Sequence, residues 1–185
     1  MKVLSDFGSG PWDAIIDGCN WIANDAGGIG VASFSLSGGC CNQAVEDAVN
    51  GLIAAGVTVV ASAGNSDRDA CLETPANIPD VITVGASDVN DATASFSNYG
   101  PCVDIYGPGV AVLSCAPGGG TAIMSGTSMS CPHVAGVVAR YLSVSGGSPS
   151  EVDAWLKANG TPDALTFQPG QDADNLLVYA PCPLP

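Results

Sequence analysis

Positive charge is the scarcest feature of this sequence. Lys2, Arg68, Arg140 and Lys157 stand against 18 carboxylates, for a formal net charge of −14. A chain of that sign is repelled by phosphate backbones and anionic headgroups, so nucleic acid and membrane surfaces are poor partners. The acidity reads as a solubilising surface. Histidine is nearly absent as well, with His133 alone. One imidazole and no C-x-x-C pair argue against a zinc site. No apolar run approaches transmembrane length. No Gly-rich loop carries G-K-S/T, and Gly27-Gly28-Ile29-Gly30 lacks the dinucleotide spacing, which removes a nucleotide-binding reading.

What is present points elsewhere. A length of 185 residues with 46% hydrophobic content fits one domain with one core, and 12% charged residues argue against disorder. Eight cysteines, at 19, 40, 41, 71, 102, 115, 131 and 182, indicate disulfides and an oxidising, extracellular setting. Eight cysteines allow 105 pairings, so spacing leaves the connectivity open. After Met1-Lys2, only Val3 and Leu4 are apolar before Ser5-Asp6, far short of a signal peptide's apolar region. A secreted composition without an export signal leads to the expectation that the start of the chain is missing.

Short β-rich runs alternate with amphipathic helices. Residues 31–36 read as a strand ending at Gly38-Gly39. Residues 43–55 carry apolar side chains at 45, 48, 49, 52 and 53, one face of a helix, with Gly56 as its stop. Residues 57–61 and 81–86 read as fully buried strands. Pro132 suits the first turn of a helix running through Tyr141, and Ser148-Pro149-Ser150-Glu151 is a capping box opening the last helix, to about Ala158. The pieces at 107–120 and 168–170 read as loops. Near-continuous apolar strands with intervening helices imply an α/β fold, a largely parallel sheet covered on both faces.

The stretch from Gly126 to Gly136, G-T-S-M-S-C-P-H-V-A-G, carries the chemistry. A serine hydroxyl needs a base within hydrogen-bond reach and donors aimed at the developing oxyanion. Ser128, after the permissive Gly126 and just before a helix, has exposed backbone N–H groups beside it. His133 lies five residues on. On a shared helix it would be rotated about 140° and displaced about 7.5 Å from Ser128, so it reads as a packed or capping residue and not as the base. G-T-S-M-S also lacks the second glycine of the α/β-hydrolase elbow.

This segment resembles the nucleophile motif of the subtilisin-like serine proteases, and V-L-S-D-F-G-S-G, V-G-A-S-D, S-F-S-N-Y-G and D-I-Y-G-P-G-V resemble the proteinase K and aqualysin branch in the same order. The resemblance runs from Lys2 to about Tyr179. It implies a three-layer α/β/α fold and endopeptidase activity, with Ser128 as nucleophile and Asn65 of S-A-G-N as oxyanion donor. It implies substrate binding as an added β-strand between Gly8-Ser9-Gly10 and Ser35-Leu36-Ser37-Gly38, the latter walling the specificity pocket with Ser62, Ala63 and Gly64. Ser37 stands where the family usually has glycine. A disulfide between Cys71 and Cys102 is implied, as is a structural calcium ion (Ca2+) on the backbone carbonyls of Pro79 and Val81 and the carboxylate of Asp104. Polypeptide substrates and the protein's own propeptide are the implied partners of a secreted monomer.

The same resemblance exposes a gap. The family orders its triad Asp, His, Ser, with D-S/T-G and H-G-T-H segments before the stretch matching Lys2-Val3-Leu4, and this chain has neither. Residues 1–185 therefore read as a catalytic domain fragment, incomplete at the N-terminus, that lacks the internal strand between those matching 2–4 and 31–36 and so is expected to leave two edges unpaired inside the core. The isolated chain is expected to be inactive. A non-catalytic peptide-binding module on the same scaffold is the competing reading, although such a module needs neither Ser128 nor Asn65.

Overall fold

A computed structural model describes residues 2–25 and 27–182. Near-continuous apolar runs become the buried centre of a six-stranded sheet. Val57–Ser62 (β3) and Ile82–Ser87 (β5) are buried at every position, as strands covered on both faces must be. Gly30–Phe34 (β1) pairs parallel to β3 with Val31 opposite Thr58, and β3 to β5 with Val60 opposite Ile82. Ile105–Pro108 (β6) continues the parallel set, with Val84 of β5 opposite Ile105. Two-residue strands close that side, Leu176–Leu177 (β10) parallel to β6 and Thr161–Pro162 (β9) antiparallel to β10, giving the order β1-β3-β5-β6-β10-β9.

The two faces of β3 separate by alternation, as a period of two requires. Val57, Val59 and Ala61 pack with Ala32, Phe34 and the inner faces of Trp12–Asp25 (α1) and Gln43–Ala54 (α2). Val60 points to the other side, into a cluster with Val84, Ile105, Val134 and Val138 of Thr127–Ser145 (α3) and Val152 and Leu156 of Pro149–Asn159 (α4). Helices on both faces of a largely parallel sheet give the expected three layers. Asn42 caps α2 through its side chain, and α4 opens on the full capping box, Ser148 accepting from the Glu151 N–H and Glu151 from the Ser148 N–H.

Four readings change. Helix α1 is an addition: Trp12, Ile15, Ile16, Cys19, Ile22 and Ala23 recur at helical spacing, but Gly18 dilutes the propensity. The first strand stops at Phe34, and Gly38–Gly39 (β2) instead pairs antiparallel with Glu73–Thr74 (β4). The loop expected over 107–120 holds the end of β6 and one arm of an exposed hairpin, Val112–Cys115 (β7) against Thr121–Met124 (β8). Helix α3 starts at Thr127, so Pro132 lies inside it, not in its first turn.

Residues 2–4 form no strand, and among the described residues β1 pairs with β3 alone. Along the open edge of β1 runs a groove of about 260 Å³ lined by Val3, Ile15, Cys19, Ile22, Val31 and Phe34, among others.

Candidate active site

Three chain segments meet where β1, β3 and the start of α3 converge. Gly126, with φ 155° and ψ 160°, turns the chain into α3 so that Ser128 occupies the helix's first turn, where N–H groups have no intrahelical acceptor. Asn65 follows β3. Its Oδ1 accepts from the Thr127 N–H at 2.8 Å and from the Thr127 hydroxyl at 3.0 Å. A backbone N–H can only donate, so these partners fix which end of the amide is oxygen and leave Nδ2 free to donate. The amide sits over the turn that carries Ser128: a Cβ added to Gly126 would lie 3.7 Å from Nδ2.

The loop bearing Asn65 is held from below by Asn98. Its side chain donates to the Ala63 carbonyl at 2.8 Å and accepts from the N–H groups of Ser66 at 2.9 Å and Arg68 at 3.2 Å. Its backbone N–H donates to the Gly64 carbonyl at 3.0 Å. Gly64 has φ +102°, and a Cβ there would lie 2.4 Å from Asn98 Nδ2, so both backbone and space demand glycine. Asn98 was visible in S-F-S-N-Y-G but carried no role until the fold placed it under residues 63–68.

Pro132 explains the contact on the other side of Ser128. Proline has no N–H, so the Ser128 carbonyl four residues earlier lacks its helical partner. The Ser35 hydroxyl supplies one, donating at 2.8 Å, while the Ser128 hydroxyl donates to the Ser35 carbonyl at 3.4 Å. His133 is exposed, with Nδ1 2.8 Å from the Met129 carbonyl. The ring bonds back to its own helix and is not packed. Cys131 is fully buried, its thiol 3.4 Å from the Val60 carbonyl, and burial pushes it above the usual thiol range, which leaves it inert.

Gly8, Ser9 and Gly10 lie with Ser35, Leu36 and Ser37 around a groove of about 240 Å³, closed by Leu4, Trp12 and Ile15. Gly38 sits outside that lining, paired with Thr74 and pressed against the Trp12 ring. Ser62, Ala63 and Gly64 are buried at the end of β3, with the Ser62 hydroxyl 3.4 Å from the Phe34 carbonyl. A second hollow of about 310 Å³ borders Ser128, lined by Val112, Leu113, Met129, Pro132 and His133.

Cys71 and Cys102 form a disulfide with Cα atoms 5.3 Å apart. Cys40 and Cys41 are also joined. Cys19 and Cys131 are buried thiols, and Cys115 and Cys182 are exposed ones.

The implied calcium ligands meet differently. Pro79 and Val81 line a groove with Asp153. Asp104 spends one carboxylate oxygen on the Thr83 N–H at 2.8 Å and presents the other to Lys157 Nζ at 2.8 Å, which also holds Asp153 at 3.0 Å. Burial works against the ammonium, but the bonds and charges of Asp104 and Asp153 outweigh it and raise Lys157 above the ordinary lysine value. Two unit charges about 4 Å apart near a protein surface interact by about 4 kcal/mol, and a doubly charged ion by about twice that. Calcium and the ammonium therefore exclude one another, and Pro79, Val81 and Asp104 as placed do not fit the ion.

The Subtilase family model matches residues 1–173. The chain is similar to Subtilisin-like protease 4 of Trichophyton equinum, 45% identical over 183 residues covering 97% of this chain and 46% of that protein. It is similar to Subtilisin-like protease 3 of the same organism, also 45% identical over 97% of this chain and 45% of that protein. Among solved structures, a cold adapted subtilisin-like serine proteinase superposes with a TM-score of 0.93 at 40% identity, over 97% of this chain and 65% of that one. The chain thus spans about half the length of the curated relatives it matches.

Proposed function

The chain belongs to the subtilase family, and from that premise we propose that it is the nucleophile-bearing part of a serine endopeptidase catalytic domain. Ser128 Oγ bonds to the scissile carbonyl carbon while its proton passes to an imidazole. The carbonyl electron pair moves onto oxygen, where Asn65 Nδ2 and the Ser128 N–H donate to it. The C–N bond then breaks, the amine leaves with the proton, and the acyl-enzyme on Ser128 is hydrolysed by the same route with water. The observation that carries this reading is the Asn65 amide, fixed by Thr127 with its donor end free beside the Ser128 turn. A peptide-binding module has no use for that arrangement.

In this reading the base is not His133, which lies five residues beyond Ser128 on the same helix, about 140° around it and about 7.5 Å along its axis. An imidazole and its orienting carboxylate come instead from Asp- and His-bearing segments outside these 185 residues. The groove between residues 8–10 and 35–37 takes the substrate polypeptide as an added strand. The disulfides support a secreted protein, and no helix among the described residues is long and apolar enough to cross a membrane. Subtilases are in general calcium-binding, but no step here depends on the ion.

A fluorophosphonate probe, which needs an activated serine and an oxyanion hole together, tests the reading. The 185-residue chain should remain unlabelled. The same chain joined to the missing segments should label, and Ser128→Ala should abolish the label. Labelling of the chain alone, lost on His133→Ala, would overturn the assignment of the base.

A further inference from the structure

One of the four cations in a chain with 18 carboxylates is spent on an internal contact. Lys157, in the last turn of α4, reaches back across the sheet's edge to Asp104, the residue that leads into β6. It also holds Asp153 one turn earlier on its own helix. Two of its three N–H donors are thereby placed on carboxylates from two elements, so the ammonium ties α4 to the strand layer. Asp104 is only 22% exposed, and its other oxygen is taken by the Thr83 N–H. A carboxylate at that depth needs a partner charge, and here the chain carries its own.

We propose that the Lys157 ammonium stands in place of a divalent cation at this position, so that the Asp104 corner is held without calcium. The geometry has the elements of an oxygen-lined cation site: the semi-buried Asp104 carboxylate and that of Asp153 meet on one cation, and Asp153 also borders a groove with the 79–81 turn. The ammonium is a compact point charge with rotatable donors, suited to bridging oxygens of two segments. Calcium would need the same oxygens at about 2.3–2.6 Å, and several more. The substitution moves the cation from solvent into the sequence, and with it the stability of this corner ceases to depend on free calcium.

Equilibrium dialysis against radioactive calcium at about 5 mM, well above the 10⁻⁴–10⁻³ M range of extracellular sites, reads this directly. The acidic surface also binds calcium weakly, so each value is taken against the matching Asp104→Asn variant. The parent should bind no more calcium than Asp104→Asn. Lys157→Met, which frees both carboxylates, should bind about one ion more per chain, and Lys157→Met with Asp104→Asn should lose it. Lys157→Arg, which keeps the charge, should behave as the parent. A parent that loses an equivalent of calcium on Asp104→Asn overturns the proposal, as does a Lys157→Met chain that binds no more than the parent. Thermal unfolding gives an independent reading: calcium in place of chelator should leave the parent midpoint unchanged and raise that of Lys157→Met.

Discussion

Asn98 lies fully buried beneath the loop that presents Asn65, and replacing it should separate stability from catalysis. Asn98→Ala removes three side-chain hydrogen bonds, to the Ala63 carbonyl and the N–H groups of Ser66 and Arg68. Ser66 and Arg68 are exposed residues, so water can replace the lost acceptor there at small cost. Ala63 is fully buried, and its carbonyl is left without a donor, at about 1–3 kcal/mol. With the space vacated by the amide, the total should be about 2–4 kcal/mol. With a urea m-value of about 2 kcal/mol/M, that lowers the unfolding midpoint by roughly 1–2 M. Asn65→Ala is the contrast. Asn65 is exposed, and water can serve the Thr127 donors it leaves, so the midpoint should shift by well under 1 M. In a chain completed with its Asp and His segments, Asn65→Ala should lower kcat by about 10²–10³ with KM nearly unchanged, because the donor acts on the transition state. Asn98→Ala should show both losses. Equal destabilisation by the two variants, or an Asn98→Ala midpoint unchanged within about 0.2 M, would refute the assignment of Asn98 as the support and Asn65 as the tool.

Ser148→Ala removes the hydroxyl half of the capping box on α4, while the Ser148 N–H keeps its bond to Glu151, and should cost about 1 kcal/mol, a drop of roughly 2–4 °C in Tm read by circular dichroism. Ser35→Ala removes the side-chain donor from the Ser128 carbonyl, already without a helical partner because of Pro132; with water able to reach this exposed contact it should cost no more than about 1 kcal/mol, and it should lower kcat more than it raises KM in the completed chain.

The layers were legible because both periods of the hydrophobic pattern were strong. Residues 57–61 and 81–86 could only be buried strands, and the helix at 43–55 declared its face. What escaped has a physical reason in each case. Helix α1 carried the right spacing, but Gly18 and the β-branched Ile15, Ile16 and Ile22 blurred its propensity. The helix start at Thr127 was hidden because Pro132 resembles an N-terminal proline. Only a tertiary donor, the Ser35 hydroxyl, makes an interior proline tolerable there. The residues proposed as nucleophile and oxyanion donor, Ser128 and Asn65, each stand in a local motif, G-T-S-M-S and S-A-G-N. The role of Asn98 was not readable from its own, since its partners in 63–68 lie about thirty residues away and nothing in S-F-S-N-Y-G announces them. The Asp104 to Lys157 pair was likewise invisible, because it joins residues brought together only when α4 folds over the sheet.

The convergence of the site follows from the parallel topology. All parallel strands finish at one edge of the sheet, so the residues just past β1 and β3 are neighbours in space whatever their separation in sequence. Ser35 follows β1 and Asn65 follows β3, and α3, packed against both strands, begins beside them. The bonds that tie the three ends run from Thr127 to Asn65 and from Ser35 to Ser128, across 62 and 93 residues. Each tie uses a group the helix start leaves over: an N–H without an intrahelical acceptor, and a carbonyl freed by proline. The donors that the proposed function assigns to the oxyanion, Asn65 Nδ2 and the Ser128 N–H, are therefore held by the fold of this chain. Proton transfer is a separate requirement of the proposed function, since it needs a base within hydrogen-bond reach of the Ser128 hydroxyl. Under the proposed function, the electrostatic part of acyl transfer rests on Asn65 and the Ser128 N–H, while its acid–base part requires an imidazole other than His133.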